Sequence, residues 1–120
     1  MGKILVADDD HAMVSLLRTM ISMNGYQVLT LLDRKGDIIQ NMKDINPNVL
    51  IMDIFLGDRN GLDLIQSIRS EPDLENTKII MVSGMDKSRA CLAAGADAFL
   101  IKPYMPEELL TLLHDFCQNN

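Results

Sequence analysis

The sequence predicts an α/β fold, a three-layer α/β/α sandwich built on one parallel sheet. Three observations carry that expectation. Short β-branched or aliphatic runs alternate with longer stretches of helical periodicity, five of each along the 120-residue chain. Most of the short runs are apolar throughout, as strands covered on both faces must be. The length suffices for one hydrophobic core without disulfides or structural metal, so a single domain over residues 1–120 is the simplest organisation. Strict strand-helix alternation then demands right-handed crossovers that place helices on both sides of the sheet.

The strand candidates are Ile4 to Ala7, Gln27 to Leu31, Val49 to Met52, Lys78 to Val82 and Ala98 to Ile101, each near average strand length. In the first intervening segment Met13, Leu16, Leu17 and Met20 repeat at helical spacing, with Gly25 where a C-cap belongs. A second helix from Lys35 to Ile45 turns Ile38, Ile39, Met42 and Ile45 inward before Asn46-Pro47 ends it. The third starts near Gly61, buries Leu64, Ile65 and Ile68, and stops before Pro72. Only Ser88 to Ala94 is available to the fourth before Gly95, about two turns. The fifth opens with Pro106, carries Glu107 and Glu108 at its positive end, and faces the core with Leu109, Leu112, Leu113 and Phe116. The nine methionines read as gap-filling core residues.

Composition narrows the function classes. A net charge of −6, from 17 acidic and 11 basic residues, argues against direct nucleic-acid binding and permits an acidic, cation-binding pocket. No apolar run is long enough to cross a bilayer, no signal-peptide pattern opens the chain, and Val6 breaks the myristoylation motif that Met1-Gly2 would begin. A cytoplasmic protein without membrane contact is expected. Cys91 and Cys117 lack paired spacing and nearby His or Cys, so they read as reduced thiols.

In such folds the reactive crevice lies at the carboxyl ends of the strands. Asp8, Asp9 and Asp10 follow the first strand, Asp53 the third, Ser83-Gly84 the fourth and Lys102-Pro103 the fifth. If the first and third strands are neighbours, about 4.8 Å apart, Asp9 and Asp53 come within a few ångströms and require a positive partner. Lys102 is one such partner. A hard divalent cation is the other, and magnesium fits best because it takes one or two carboxylates and keeps several waters.

The ordered signals "ILVADDD", "VLIMD" before "RNGLDLI", "IIMVSG" and "AGADAFLIKP" together resemble the receiver domain of two-component response regulators, over essentially the whole chain. The resemblance implies a flavodoxin-like sheet in the order 2-1-3-4-5 with five helices. It implies that Asp53 accepts a phosphoryl group from a phosphohistidine on a sensor histidine kinase or a histidine phosphotransfer protein. Asp8, Asp9, Asp53 and the backbone carbonyl of Phe55 would then hold Mg²⁺, with Mn²⁺ as a substitute. Lys102 and Ser83 would contact the phosphoryl group, and the Lys102-Pro103 peptide would be cis. Ser83 and Phe99 would relay the change to the face formed by the fourth helix, fifth strand and fifth helix. A downstream target protein, an output domain absent from this chain, or a dimer formed on phosphorylation would read that face. Such a domain catalyses its own aspartyl phosphorylation and slow dephosphorylation, yet serves mainly as a signalling switch.

The chain departs from the family pattern in places. The Ser83 to Lys102 segment is about one helical turn short. Phe55 and Met85 put bulky apolar groups two residues after Asp53 and Ser83, where they are expected to exclude water and prolong the phosphorylated state. Gly57 replaces a common proline, and Met105 replaces a polar N-cap before Pro106. Asp10 is expected to cap the first helix. His11, His114, Asp58, Asp63, Asp86 and Asp97 are expected to be solvated turn or helix-end residues. Two rival readings remain at this point: a haloacid-dehalogenase-like Mg²⁺-dependent phosphatase with its nucleophile in Asp8-Asp9-Asp10, and a phosphorylation-independent receiver-like binding module.

Overall fold

The structure, a computed structural model, describes residues 2–31, 36–56 and 59–118. Along the chain, β1 (Lys3–Ala7) leads into α1 (His11–Met23), β2 (Gln27–Thr30), α2 (Ile38–Ile45) and β3 (Val49–Asp53). A short antiparallel pair follows, β4 (Phe55–Leu56) with β5 (Arg59–Asn60), then α3 (Gly61–Arg69) and a 3₁₀ turn at Pro72–Leu74. The chain continues through β6 (Lys78–Ser83), α4 (Ser88–Ala94), β7 (Ala98–Ile101) and α5 (Pro106–Cys117). The five long strands form one parallel sheet in the order β2-β1-β3-β6-β7, which is the expected 2-1-3-4-5 once the short β4 and β5 are set aside.

Two apolar layers cover the sheet. Leu5, Leu50, Met52, Ile79 and Met81 pack with α2 and α3 residues Met42, Ile65 and Ile68. On the opposite face Ile4, Val6, Val49, Ile51 and Ile80 meet Val14, Leu17 and Ile21 of α1 and Leu109 and Leu113 of α5. This alternation along β1 and β3 is the two-residue period of a strand with both faces in contact.

The inner face of α1 differs from the expected one. Val14, Leu17 and Ile21 reach the sheet, while Leu16 is 61% exposed. The helix carries apolar residues over a wide arc, so periodicity shows that it is amphipathic but does not fix which stripe faces the sheet. The second helix begins later than expected, at Ile38, because the Asp37 carboxylate accepts the Gln40 N–H at 3.2 Å and starts it there. Lys35, Gly57 and Asp58 lie outside the described residues. Asn46 ends α2 in the left-handed conformation (φ 52°).

Gly61 opens α3 where the backbone passes close to the third strand's exit. Its N–H donates to the Ile54 carbonyl at 2.7 Å, and a Cβ there would stand 2.7 Å from that oxygen and 2.9 Å from Ile54 Cα. Gly61→Ala is therefore expected to lower stability by about 1–3 kcal/mol, read as a shifted urea midpoint at unchanged slope. An unchanged midpoint would show that the close approach relaxes freely.

Candidate functional site

Sheet order decides which strand ends meet. β1 and β3 are neighbours at the centre, with Ala7 opposite Met52, so Asp8 and Asp53 leave the sheet side by side. β7 lies at the edge beyond β6, and Ser83 is opposite Ile101. From the end of β7, the Lys102 side chain reaches across the exit of β6 to the central carboxylates. Its Nζ lies 2.6 Å from Asp53 Oδ2 and 3.7 Å from Asp8 Oδ2. The other Asp53 oxygen, Oδ1, accepts the Phe55 N–H at 2.9 Å. Both Asp53 oxygens are thus held, which fixes the carboxylate's orientation at the mouth of the cleft.

The Lys102 backbone N–H donates to the Ser83 carbonyl at 2.8 Å, tying the two loops together. Ser83 is buried, and its Oγ accepts the Met85 N–H at 3.2 Å. The Lys102-Pro103 peptide is cis.

The opening aspartates divide by role. Asp10 caps α1, its Oδ1 accepting from Ala12 N at 3.0 Å and Met13 N at 3.2 Å. Asp8 Oδ1 accepts the Asp10 N–H at 2.9 Å while its other oxygen faces Lys102. Asp9 is exposed. Among the described residues, no three His, Cys, Asp or Glu side chains form a group that could hold a metal ion. The donors at the cleft are nonetheless hard oxygens, and the ammonium between Asp8 and Asp53 marks a point where they accept a cation. That donor set fits magnesium, which needs few protein ligands.

Burial alone would lower the Lys102 pKa, but the hydrogen bond to Asp53 and the charges of Asp8 and Asp53 outweigh it and raise the value. A raised lysine pKa contributes stability that is complete below the unfolded value of about 10.4 and is lost as pH rises through the higher folded value. The wild-type protein is therefore expected to lose stability progressively above about pH 10.4, and Asp53→Asn to show a smaller alkaline loss. Equal alkaline slopes in the two proteins would contradict this coupling.

Phe99 is half-buried on β7 against the α2-α3-α4 layer. Phe55 and Met85 flank the cleft at 62% and 60% exposure. At the helix that follows, Met105 makes no side-chain cap bond, as expected, but the Glu108 carboxylate accepts its N–H at 3.1 Å and satisfies that donor. His11, His114, Asp63 and Asp86 are exposed. Neither Cys91 nor Cys117 forms a disulfide with another described residue.

Asp97 is exposed in the turn before β7, as expected, but it is also held in a network that the sequence does not reveal. Its Oδ2 accepts from Arg69 Nη2 at 2.6 Å and from Ile79 N at 2.8 Å. Sequence reasoning also missed Arg69, whose Nε and Nη1 donate to the carbonyls of Gly95 and Thr77 at 2.9 and 2.8 Å. An arginine near a helix C-terminus reads as ordinary surface charge, and its partners lie 8 to 28 positions away in sequence. No local signal marks it.

A central parallel sheet with a lysine-bridged carboxylate pair at its carboxyl edge defines a doubly wound α/β domain with an acidic, cation-accepting cleft. A family model described as "Response regulator receiver domain" matches residues 4–114. Chemotaxis protein CheY of Thermotoga maritima is 31% identical over 119 residues, covering 95% of this chain and 97% of that protein. Transcriptional regulatory protein CpxR of Escherichia coli is 32% identical over 113 residues, covering 92% of this chain and 47% of CpxR. The chain thus spans less than half the length of CpxR and of the similar ycf27 regulator of Galdieria sulphuraria. Among solved structures, the receiver domain of a sensor histidine kinase from Pseudomonas aeruginosa, which has a magnesium ion coordinated in its active site cleft, superposes with a TM-score of 0.80 at 22% identity over 96% of both chains. The chain belongs to the response regulator receiver domain family of two-component signalling. The phosphatase and the phosphorylation-independent readings are not favoured. Among the described residues no helix is long and apolar enough to cross a membrane.

Proposed function

We propose that residues 1–120 act as a phosphorylation-activated switch in which Asp53 takes a phosphoryl group from a phosphohistidine. The observation that carries this reading is the Lys102 ammonium, 2.6 Å from Asp53 and 3.7 Å from Asp8, at the carboxyl edge of the sheet. A carboxylate oxygen of Asp53 attacks phosphorus, the phosphorus–nitrogen bond to the donor imidazole breaks, and the imidazole leaves. Phosphoryl transfer passes through a loose transition state with charge on the equatorial oxygens, so positioning and charge compensation are the main requirements. The Phe55 N–H and Lys102 supply the positioning by holding both Asp53 oxygens.

Asp8, Asp9, Asp53 and the Phe55 carbonyl would hold Mg²⁺, or Mn²⁺ in its place. When bound, the metal offsets negative charge on the transferring oxygens. Lys102 adds a second positive charge there. Ser83 has its hydroxyl oxygen occupied by Met85 N–H, and its proton is available to a phosphoryl oxygen. Phosphorylation brings about −1.5 to −2 charges to a cleft already rich in carboxylates, which draws Lys102 and Ser83 towards the new group. Because Lys102 N–H is bonded to the Ser83 carbonyl, the two loops move together, and Phe99 on β7 is the side chain that responds. The remodelled face is read by a target protein, an attached output domain or a second phosphorylated copy.

The test is exposure of the purified chain to acetyl phosphate and Mg²⁺ with intact-mass detection of one added phosphoryl group. Lys102→Ala is expected to slow its appearance about a hundredfold, the scale of losing one preorganised charge-stabilising donor. An unchanged rate would remove Lys102 from the chemistry. If the apolar side chains of Phe55 and Met85, two residues after Asp53 and Ser83, exclude water once the phosphoryl group is bound, the phosphorylated form is expected to persist. A half-life of seconds in purified protein with Mg²⁺ would sink that expectation.

A further inference from the structure

Between Asp53 and α3 the chain returns on itself. The Ile54 carbonyl accepts the Gly61 N–H at 2.7 Å, and between these two residues Phe55 pairs antiparallel with Asn60 and Leu56 with Arg59. Asn60 has a second role at the end of that pair. It is the N-cap of α3: its Oδ1 accepts the Leu62 N–H at 2.9 Å, and its backbone is extended, at φ −93° and ψ 115°. One conformation thus serves both neighbours. A capping side chain keeps its own residue out of the helix, and the same extended backbone is what pairing with Phe55 requires. On its other side Asn60 adjoins a fixed body, since α3 buries Gly61, Ile65 and Ile68.

Phe55 is the residue that this pairing holds in place. Its side chain is 62% exposed and anchors it little, so its backbone contacts decide where it sits. The Phe55 N–H reaches into the cleft to Asp53 Oδ1 at 2.9 Å. In an extended strand the N–H and C=O of one residue project to the same side, which turns the Phe55 carbonyl towards the cleft as well. A carbonyl ligand has no rotamer to adjust, so the backbone alone must bring it to a cation. We propose that Asn60 is a positioning residue for the cation site, resting on the reading above in which Asp8, Asp9, Asp53 and the Phe55 carbonyl hold Mg²⁺. By capping α3 while extended, Asn60 keeps β4 paired and so keeps the Phe55 N–H and carbonyl at the cleft. Without a capping side chain, residue 60 is free to join the first turn of α3, and its pairing with Phe55 loosens.

The probe is Mg²⁺ alone, titrated without any phosphoryl donor into the full isotopically labelled chain. Its dissociation constant is read by NMR from saturable amide shifts of Asp9, Asp53 and Phe55. Asn60→Ala is expected to weaken Mg²⁺ binding about tenfold or more, the scale on which groups that orient metal ligands act. Asn60→Ser keeps a capping oxygen without adding charge, and is expected to restore affinity to within about twofold of wild type. A cap that serves only α3 would lower the urea midpoint of Asn60→Ala and leave the Mg²⁺ affinity of the folded protein unchanged, and that result overturns the proposal alone. Equal weakening in the serine variant overturns it too. If Asn60→Ala does not fold, Asn60→Gln, whose oxygen lies a methylene too far out to cap, takes its place. No saturable shift in the wild type would overturn the Mg²⁺ reading itself and this proposal with it.

Discussion

Asp53→Ala is expected to abolish phosphoryl uptake from acetyl phosphate in the presence of Mg²⁺ while the fold persists. The expectation rests on sheet order. Asp53 ends the central strand β3, and both of its oxygens are held, one by Phe55 N–H at 2.9 Å and one by Lys102 at 2.6 Å. Asp8 is engaged on both oxygens too, but its contact to Lys102 is longer at 3.7 Å while its other oxygen accepts Asp10 N–H at 2.9 Å, and Asp9 is exposed. If Asp53 is the nucleophile, its loss removes the covalent step itself, so no adduct remains to be slowed. The alanine removes the 2.6 Å bond to Lys102 and leaves Asp8 as the lysine's partner, while it also removes one of two neighbouring acids, so circular dichroism is expected to stay near wild type with only a small change in thermal midpoint. An Asp53→Ala protein that still gains the phosphoryl group would place the nucleophile among Asp8, Asp9 and Asp10, as a phosphatase-like mechanism requires.

Arg69→Ala is expected to be the most damaging substitution away from the cleft, lowering stability by about 2–4 kcal/mol. The guanidinium ties three elements together: the Gly95 carbonyl at the C-cap of α4, the Thr77 carbonyl before β6, and Asp97 before β7. Removing it leaves two carbonyls short of a donor and an acid at 27% side-chain exposure without its closest cation, since Lys78 stands 4.0 Å away. Gly95 belongs to the same joint. Its φ of 119° disfavours any side chain, and a Cβ would lie 2.9 Å from Arg69 Cγ. Arg69→Lys is expected to recover little, because one ammonium cannot serve three acceptors in the plane that a guanidinium fits. A urea midpoint within error of wild type for Arg69→Ala would show that the network is dispensable.

Much of this architecture is legible from local sequence chemistry, because strand-helix alternation, Gly and Pro positions and capping residues act over a few residues. Ser88–Ala94 and Pro106 at the start of α5 are found where expected for that reason, as is Asp10 as the cap of α1. The strand-end rule likewise brings Asp8, Asp53, Ser83 and Lys102 to one edge without any knowledge of distances. What fails is what depends on partners far along the chain. The stripe of α1 that meets the sheet is chosen by the crossover geometry and not by the helix, so Val14 and Ile21 displace Leu16 from the core. Asp97 looks like a turn acid until Arg69 arrives from 28 residues earlier. The short β4-β5 pair between β3 and α3 has no periodicity long enough to read.

The cleft is expected to direct one phosphoryl group to one carboxylate. That expectation is tested most directly by treating the wild-type chain with acetyl phosphate and Mg²⁺, with a chelator-treated control, and locating the adduct by proteolysis and peptide mass. The prediction is a single added phosphoryl group on the peptide carrying Asp53, absent from the chelated sample. No added mass, or an adduct on the peptide carrying Asp8, Asp9 and Asp10, would contradict it.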